Sequence, residues 1–180
     1  MTRLVLLNKP FRVLCQFSPH ENKTTLAEFI RIKDVYPAGR LDYDSEGLLL
    51  LTDDGKLQNK LSSPKYAKEK VYWAQVEGRP TENDIQPIHR GLKLKDGLTK
   101  PAKCRIMKQP DNLWPRTPPI RERQNIPDTW LEITLTEGKN RQVRRMCAAI
   151  GFPVLRLIRA KIDNYELGDL QPGESKSLEV

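Results

Sequence analysis

Asp42 lies in GRLDYDSEGLLLLTDDG (39–55), two residues after Arg40 and just ahead of the apolar run Leu48–Leu51. Three kinds of chemistry use a carboxylate in such a setting. As a turn residue, it would bond nearby backbone N–H groups while Gly47 opens a strand. As a metal ligand, it would join Asp44, Asp53 and Asp54 around Mg²⁺ for phosphate chemistry. A strand over Leu48–Thr52 would hold those two pairs about 15 Å apart, which weighs against the metal. As a nucleophile, it would attack an electron-poor carbon. The seventeen residues alone leave turn and nucleophile both open.

A second constellation is EGKNRQVRRMCAAIGFPVLRLIRAK (137–161). From Gly138 to Lys161 it carries seven Lys or Arg and no acid. A solvated helix face usually mixes signs, so this stretch reads better as a surface for phosphates. Arg141, Arg144 and Arg145 fall near a helix start, and Arg156 and Arg159 on the following strand. A third is KVYWAQVEG (70–78). Tyr72 there is either a sheet-face aromatic or a ring that stacks on a base and offers its hydroxyl for proton transfer.

Composition narrows the classes. The chain has 180 residues, a net charge of +8 and a pI near 9.5, which favours a polyanionic partner, nucleic acid first. Two histidines (His20, His89) leave little for a zinc site or a His-based triad. Three scattered cysteines (Cys15, Cys104, Cys147) form no CxxC pair and suit free thiols in a reducing compartment. No phosphate-binding Gly loop or dinucleotide fingerprint is present. The apolar runs are too short to span a bilayer and the start lacks a signal peptide, so we expect a cytoplasmic protein with no membrane partner.

The elements that must position these residues follow from pattern. Strands are expected at 3–8, 13–17, 47–52, 70–78, 102–107, 130–136, 154–162 and the C-terminal KSLEV. Helices are expected at 24–30, at 53–63 up to Pro64, at 81–91 with Thr81 and Asp84 as a cap and Gly91 as the stop, and at 140–150. In the last, Val143, Met146, Cys147 and Ile150 form the apolar stripe. Pro87 threatens the third helix. Residues 109–129 carry five prolines and read as a loop excursion. Strands outnumber helices without alternating with them, which predicts an α+β fold with a mixed, mainly antiparallel sheet and flanking helices, as one domain of two lobes over 1–180.

Taken together, these segments resemble bacterial pseudouridine synthases of the RsuA type. GRLDYDSEGLLLLTDDG is similar to their catalytic motif, usually GRLDxxSxGLLLLTxDG, and LNKPFRVL (7–14) to their NKPxGVL segment. KVYWAQVEG and EGKNRQVRRMCAAIGFPVLRLIRAKI are similar to their second and third motifs. The resemblance runs in order along nearly the whole chain. WPRTPPIRER and a catalytic core starting at residue 3, with no N-terminal S4 domain, suit the branch acting on the large ribosomal subunit.

The resemblance implies isomerisation of a specific uridine to pseudouridine in ribosomal RNA, 23S rRNA or an assembling large subunit, by a monomer needing no cofactor and no metal for chemistry. It implies a basic cleft between the two lobes, with Asp42 at its floor. Asp42 matches the nucleophile. Tyr72 matches a tyrosine that stacks on the uracil and assists proton removal, and Arg144 matches a basic residue that pairs with Asp42 and keeps it ionised. Arg40 would hold the flipped nucleotide, and Leu157 would line the pocket. Lys9, Arg141, Arg145, Arg156 and Arg159 would contact phosphates. Two positions depart from the family pattern: Arg12, where relatives often have Gly, and Glu46, where they often have a small residue. The rival reading is a noncatalytic RNA-binding ribosome assembly factor; a Mg²⁺-dependent nuclease is the third.

Overall fold

The computed structural model of the chain describes residues 1–121 and 125–180. In chain order the strands are β1 (Arg3–Lys9), β2 (Val13–Leu14), β3 (Thr24–Thr25), β4 (Tyr36–Pro37), β5 (Glu46–Thr52), β6 (Lys70–Glu77), β7 (Lys93–Leu94), β8 (Gly97–Leu98), β9 (Lys103–Met107), β10 (Asp128–Leu135), β11 (Val154–Ile162), β12 (Tyr165–Glu166) and β13 (Ser175–Glu179). The α-helices are α1 (Gly55–Ser62), α2 (Gln86–Arg90) and α3 (Gln142–Ala149). The chain divides into two compact units, residues 1–68 with 158–180, and residues 69–157. Parallel and antiparallel pairings occur together and helices are few and short, as expected of an α+β chain.

In the first unit, β1 lies antiparallel between β13 and β5. The other side of β5 meets β11 in parallel at Ile158↔Glu46 and Arg159↔Gly47, and β4 at its far end through Tyr36↔Thr52. A strand with the sequence GLLLL has no polar face, so both of its faces must be covered, and every residue of β5 is buried. Leu49 and Leu51, with Val5 and Leu7, pack on Leu26, Ile30, Val35 and Leu41. The opposite residues Leu4, Leu6, Leu48 and Leu50 are buried as well. Each such leucine contributes roughly 1.5–3 kcal/mol.

Two expected elements come out shorter. The helix read over 24–30 is β3 followed by a single 3₁₀ turn, Leu26–Glu28, capped by the Thr25 hydroxyl accepting the Ala27 N–H. Seven residues are too few to sustain a helix when their backbone can pair instead. The strand read over 13–17 is only Val13–Leu14. The helix after β5 forms as expected, with Asp54 accepting the Lys56 N–H at 2.9 Å and the Thr2 hydroxyl at 3.1 Å. Asp53 accepts the Arg3 N–H at 2.9 Å.

In the second unit, β10 lies antiparallel between β6 and β9. Leu131, Ile133 and Leu135 alternate inward and join Ala74 and Val76 of β6 in one apolar cluster, with Val143, Met146 and Cys147 of α3. Thr81 and Asp84 exchange the expected capping bonds, but these close a turn, and α2 starts only at Gln86. Pro87 therefore falls in the first helical turn, where no N–H is needed, and does not break the helix. The hairpin of β7 and β8 was not anticipated, since each strand has two residues. Residues 109–121 lack regular structure, as the prolines predict, but Trp114 is buried and the segment is fastened to β11: Arg156 Nη2 donates to the Trp114 carbonyl at 2.9 Å and Arg116 Nη1 to that of Leu155 at 3.2 Å. Residues 122–124 of the expected excursion lie outside the described residues. Cys104 and Cys147 are buried, and burial pushes both thiols up to about 12; Cys15 is half-exposed.

Gly47 is the tightest point of the first unit. Its φ is +110°, and a Cβ there would lie 2.3 Å from the Arg159 carbonyl oxygen and 2.7 Å from the Arg159 nitrogen. Backbone cannot yield as a side-chain tip can. Gly47→Ala should cost roughly 2–4 kcal/mol by urea unfolding. Gly55→Ala, which meets nothing within 4 Å, is the control and should be neutral or slightly stabilising; equal losses for the two would contradict the close approach.

Candidate active site

The loop carrying Asp42 is built from bonds to its backbone. Ala38 N–H donates to the Leu50 carbonyl at 2.8 Å and closes the loop at its base. Leu41 inserts its side chain into the apolar cluster. Asp42 follows at the first position of a turn, its carbonyl accepting the Ser45 N–H at 3.0 Å. The turn expected at Asp42 therefore forms, and it uses the main chain of Asp42. The Asp42 side chain is half-buried and Arg40 is exposed. Two further contacts fix Tyr43, next in sequence: the Arg12 N–H donates to its carbonyl at 2.8 Å, and the Lys23 ammonium lies 5.0 Å from its ring centre.

Arg12 donates from a left-handed conformation, φ +61°. The chain keeps this turn with an arginine, at some conformational cost. The reason lies in Lys9. Its side chain is fully buried, and Nζ donates to the carbonyls of Pro10 and Val13, each at 2.8 Å. The backbone of 10–13 thus wraps an ammonium, which dictates the turn whatever residue occupies position 12. Glu46, the second departure, is also buried and draws Lys9 electrostatically.

Three of the five expected phosphate contacts need correcting. Lys9 has no exposed surface. Arg156, 5 % exposed, holds the Trp114 carbonyl and lies 5.7 Å from that ring centre. Arg159, 4 % exposed, donates from Nε to the Leu48 carbonyl at 2.9 Å and from Nη1 to that of Arg40 at 3.3 Å. These cations satisfy backbone carbonyls inside the protein. Sequence pattern does not separate them from surface cations, because nothing local to β11 says which way its arginines point. Arg145 is partly exposed and makes a two-pronged ion pair with Asp96 at 2.7 and 3.1 Å. The one-signed charge along the sequence is thus partly balanced in space by an acid from the β7–β8 hairpin. Arg141 is exposed.

In the second unit, Tyr72 pairs with Ile133 across β6 and β10 and packs, half-buried, against the cluster that holds Leu157 and Val143. Arg144 is half-buried on α3. Val143, Met146 and Cys147 form the expected buried stripe of that helix, with Ile150 half-buried beside it. Sequence reading missed what orients α3. Gln142 is buried; its Nε2 donates to Glu137 Oε2 at 2.8 Å, and its Oε1 accepts the Lys139 N–H at 3.1 Å. Glu137 Oε2 also accepts the Lys100 N–H at 2.7 Å. The available signal was Gln142 four residues before Met146, on the apolar stripe. Asp96 and Trp114 were missed for lack of any local pattern.

The carboxylates weighed for Mg²⁺ are otherwise engaged at Asp53 and Asp54. Among the described residues no three His, Cys, Asp or Glu side chains gather as a metal site would require. Likewise no helix is long and apolar enough to cross a membrane.

Comparison with known proteins matches residues 3–149 to the model of the RNA pseudouridylate synthase family. Ribosomal large subunit pseudouridine synthase E of Vibrio vulnificus is 55 % identical over 178 residues, 99 % of this chain and 76 % of that protein. The protein of the same name from Xanthomonas campestris is 54 % identical over 173 residues, 95 % and 92 % of the two chains. A crystal structure of a pseudouridylate synthase superposes with a TM-score of 0.81 at 31 % identity, covering 99 % of this chain and 71 % of the other.

The wrapped ammonium gives a pH signature. Burial pulls Lys9 down from its ordinary 10.5 to about 8, against the attraction of Cys15, Glu46 and Asp44. Between those values the unfolded chain holds the proton and the folded chain has released it. Stability contributed at Lys9 therefore rises with pH across that window, and the penalty is full below it. Moving from about pH 7 to about pH 9.5 should favour the wild type over Lys9→Met by about 2 kcal/mol in urea unfolding. A constant difference between the two proteins would mean that this ammonium is hydrated.

Proposed function

Given that the chain belongs to the RNA pseudouridylate synthase family, we propose that it isomerises a uridine of ribosomal RNA, in the large subunit, to pseudouridine. The observation that carries the reading is the Asp42 loop: a half-buried carboxylate on a turn whose backbone is fixed from Arg12, Ser45 and Arg159. Preorganisation of this kind is what a nucleophile needs, because small displacements of a reacting group are costly.

Asp42 serves as the nucleophile, at C1′ of the ribose or at C6 of the uracil. The N1–C1′ bond breaks, the uracil turns, C5 bonds to C1′, the bond formed to Asp42 breaks again, the C5 proton leaves and N1 takes up a proton. The nucleotide must leave its stack to be reached, and Arg40, exposed beside Asp42, holds it there. Tyr72 stacks on the base and assists the proton transfer. Arg144 serves the chemistry as a basic residue, and Leu157 supplies apolar pocket wall. Arg141 and Arg145 contact phosphates, Arg145 by exchanging Asp96 for RNA, which an exposed ion pair permits at small cost. The reaction is a net rearrangement, so no oxidant or energy source enters it. The protein works as a monomer in the cytoplasm.

The test is tritium release from C5-labelled uridine in unmodified rRNA, in the presence of EDTA. Release is expected, and Asp42→Asn should reduce it by on the order of a thousandfold or more while RNA binding persists. No release from any rRNA substrate would sink the proposal and leave an RNA-binding role without chemistry. Arg141→Gln and Arg145→Gln should each weaken binding and lower the salt slope by about one; an unchanged slope would place that residue off the RNA path.

A further inference from the structure

Arg159 is none of the reacting or binding groups named above, yet it touches both ends of the loop that bears Asp42. Its backbone lies against Gly47, in parallel register with it, so close that no side chain fits between. From there its side chain turns back along the loop. Nε reaches the Leu48 carbonyl and Nη1 the Arg40 carbonyl, at 2.9 and 3.3 Å. Leu48 lies just after the turn and Arg40 two residues before Asp42. One planar fork thus spans the segment from Arg40 to Leu48.

We infer that Arg159 is a positioning residue for the reaction: its guanidinium sets the separation of the Arg40 and Leu48 carbonyls and thereby the placement of Asp42. This rests on the reading of Asp42 as nucleophile. Three observations favour positioning over the alternatives. At 4 % exposure the side chain is closed to RNA phosphates. Its third nitrogen, Nη2, is buried with no hydrogen-bond partner among the described residues, so the group is not optimised for stability; a buried donor left unmade is a loss. And the two bonds it does make go to the two flanks of one loop, which needs donors at fixed spacing. A guanidinium provides these rigidly, and a lysine ammonium does not.

Arg159→Lys decides the matter, measured beside Asp42→Asn. The lysine keeps the buried charge and can bond one carbonyl, but cannot hold two at the fork's spacing. We expect Arg159→Lys to fold with a melting midpoint close to that of the wild type. Its KM for rRNA should stay within about twofold, while kcat for tritium release falls roughly ten- to a hundredfold. Wild-type kcat in Arg159→Lys, with Asp42→Asn inactive, overturns the positioning role and leaves the catalytic reading standing. A variant that no longer folds, or whose lost activity matches a lost folded fraction, assigns Arg159 to stability alone and overturns it too. Full activity in Asp42→Asn removes the catalytic reading and this inference with it.

Discussion

The first unit is organised by the contact of two backbones at Gly47. The main chain of Arg159 occupies the space where any other residue would carry its Cβ. That contact fixes β11 on β5 in parallel, and β5 in turn aligns β1 and β4 along its length. Because β5 is apolar on both faces, a slip of one residue would gain nothing by exchanging faces; hydrophobic pattern alone does not specify its register. The glycine supplies the missing specification, since only one residue of the strand tolerates such an approach.

Around that contact the polar interior is devoted to loops. Lys9 holds the turn at 10–13 and Arg159 the loop at 40–48, and in the other unit Arg156 holds the irregular segment at Trp114. In the second unit, Glu137 and Gln142 do the same at the entry to α3. Each places a charged or amide group where backbone carbonyls or N–H groups would otherwise be buried unpaired. The pattern has a common logic: strands satisfy their own backbones, whereas loops that must keep one shape require side chains to do it.

Much of this architecture was legible in sequence, and the failures have a shared cause. β11 and, within two residues, α1 are where the pattern puts them, because those signals are local. The Asp42 turn could be read from Asp and Ser followed by Gly47. What could not be read is which cations point inward. Arg156 and Arg159 look like surface charge in any window, and only distant partners, Leu48 and Arg40 for Arg159, show otherwise, while Lys9 turns inward onto its own neighbours Pro10 and Val13. The same holds for Asp96 opposite Arg145, forty-nine residues away. The helix at 24–30 failed differently: its apolar spacing was right, since Leu26 and Ile30 are both buried, but the backbone found a strand partner first.

The cysteines carry a practical consequence. Burial keeps the thiols of Cys104 and Cys147 protonated far beyond neutrality, and an alkylating reagent attacks the thiolate of an accessible side chain. Cys15, half-exposed, lies one residue past β2 and packs on the cluster that also receives Leu41. The folded chain is therefore addressable at one position by a maleimide dye without any substitution. That position packs on the same apolar cluster as Leu41, so a label placed there lies against the support of the Asp42 loop.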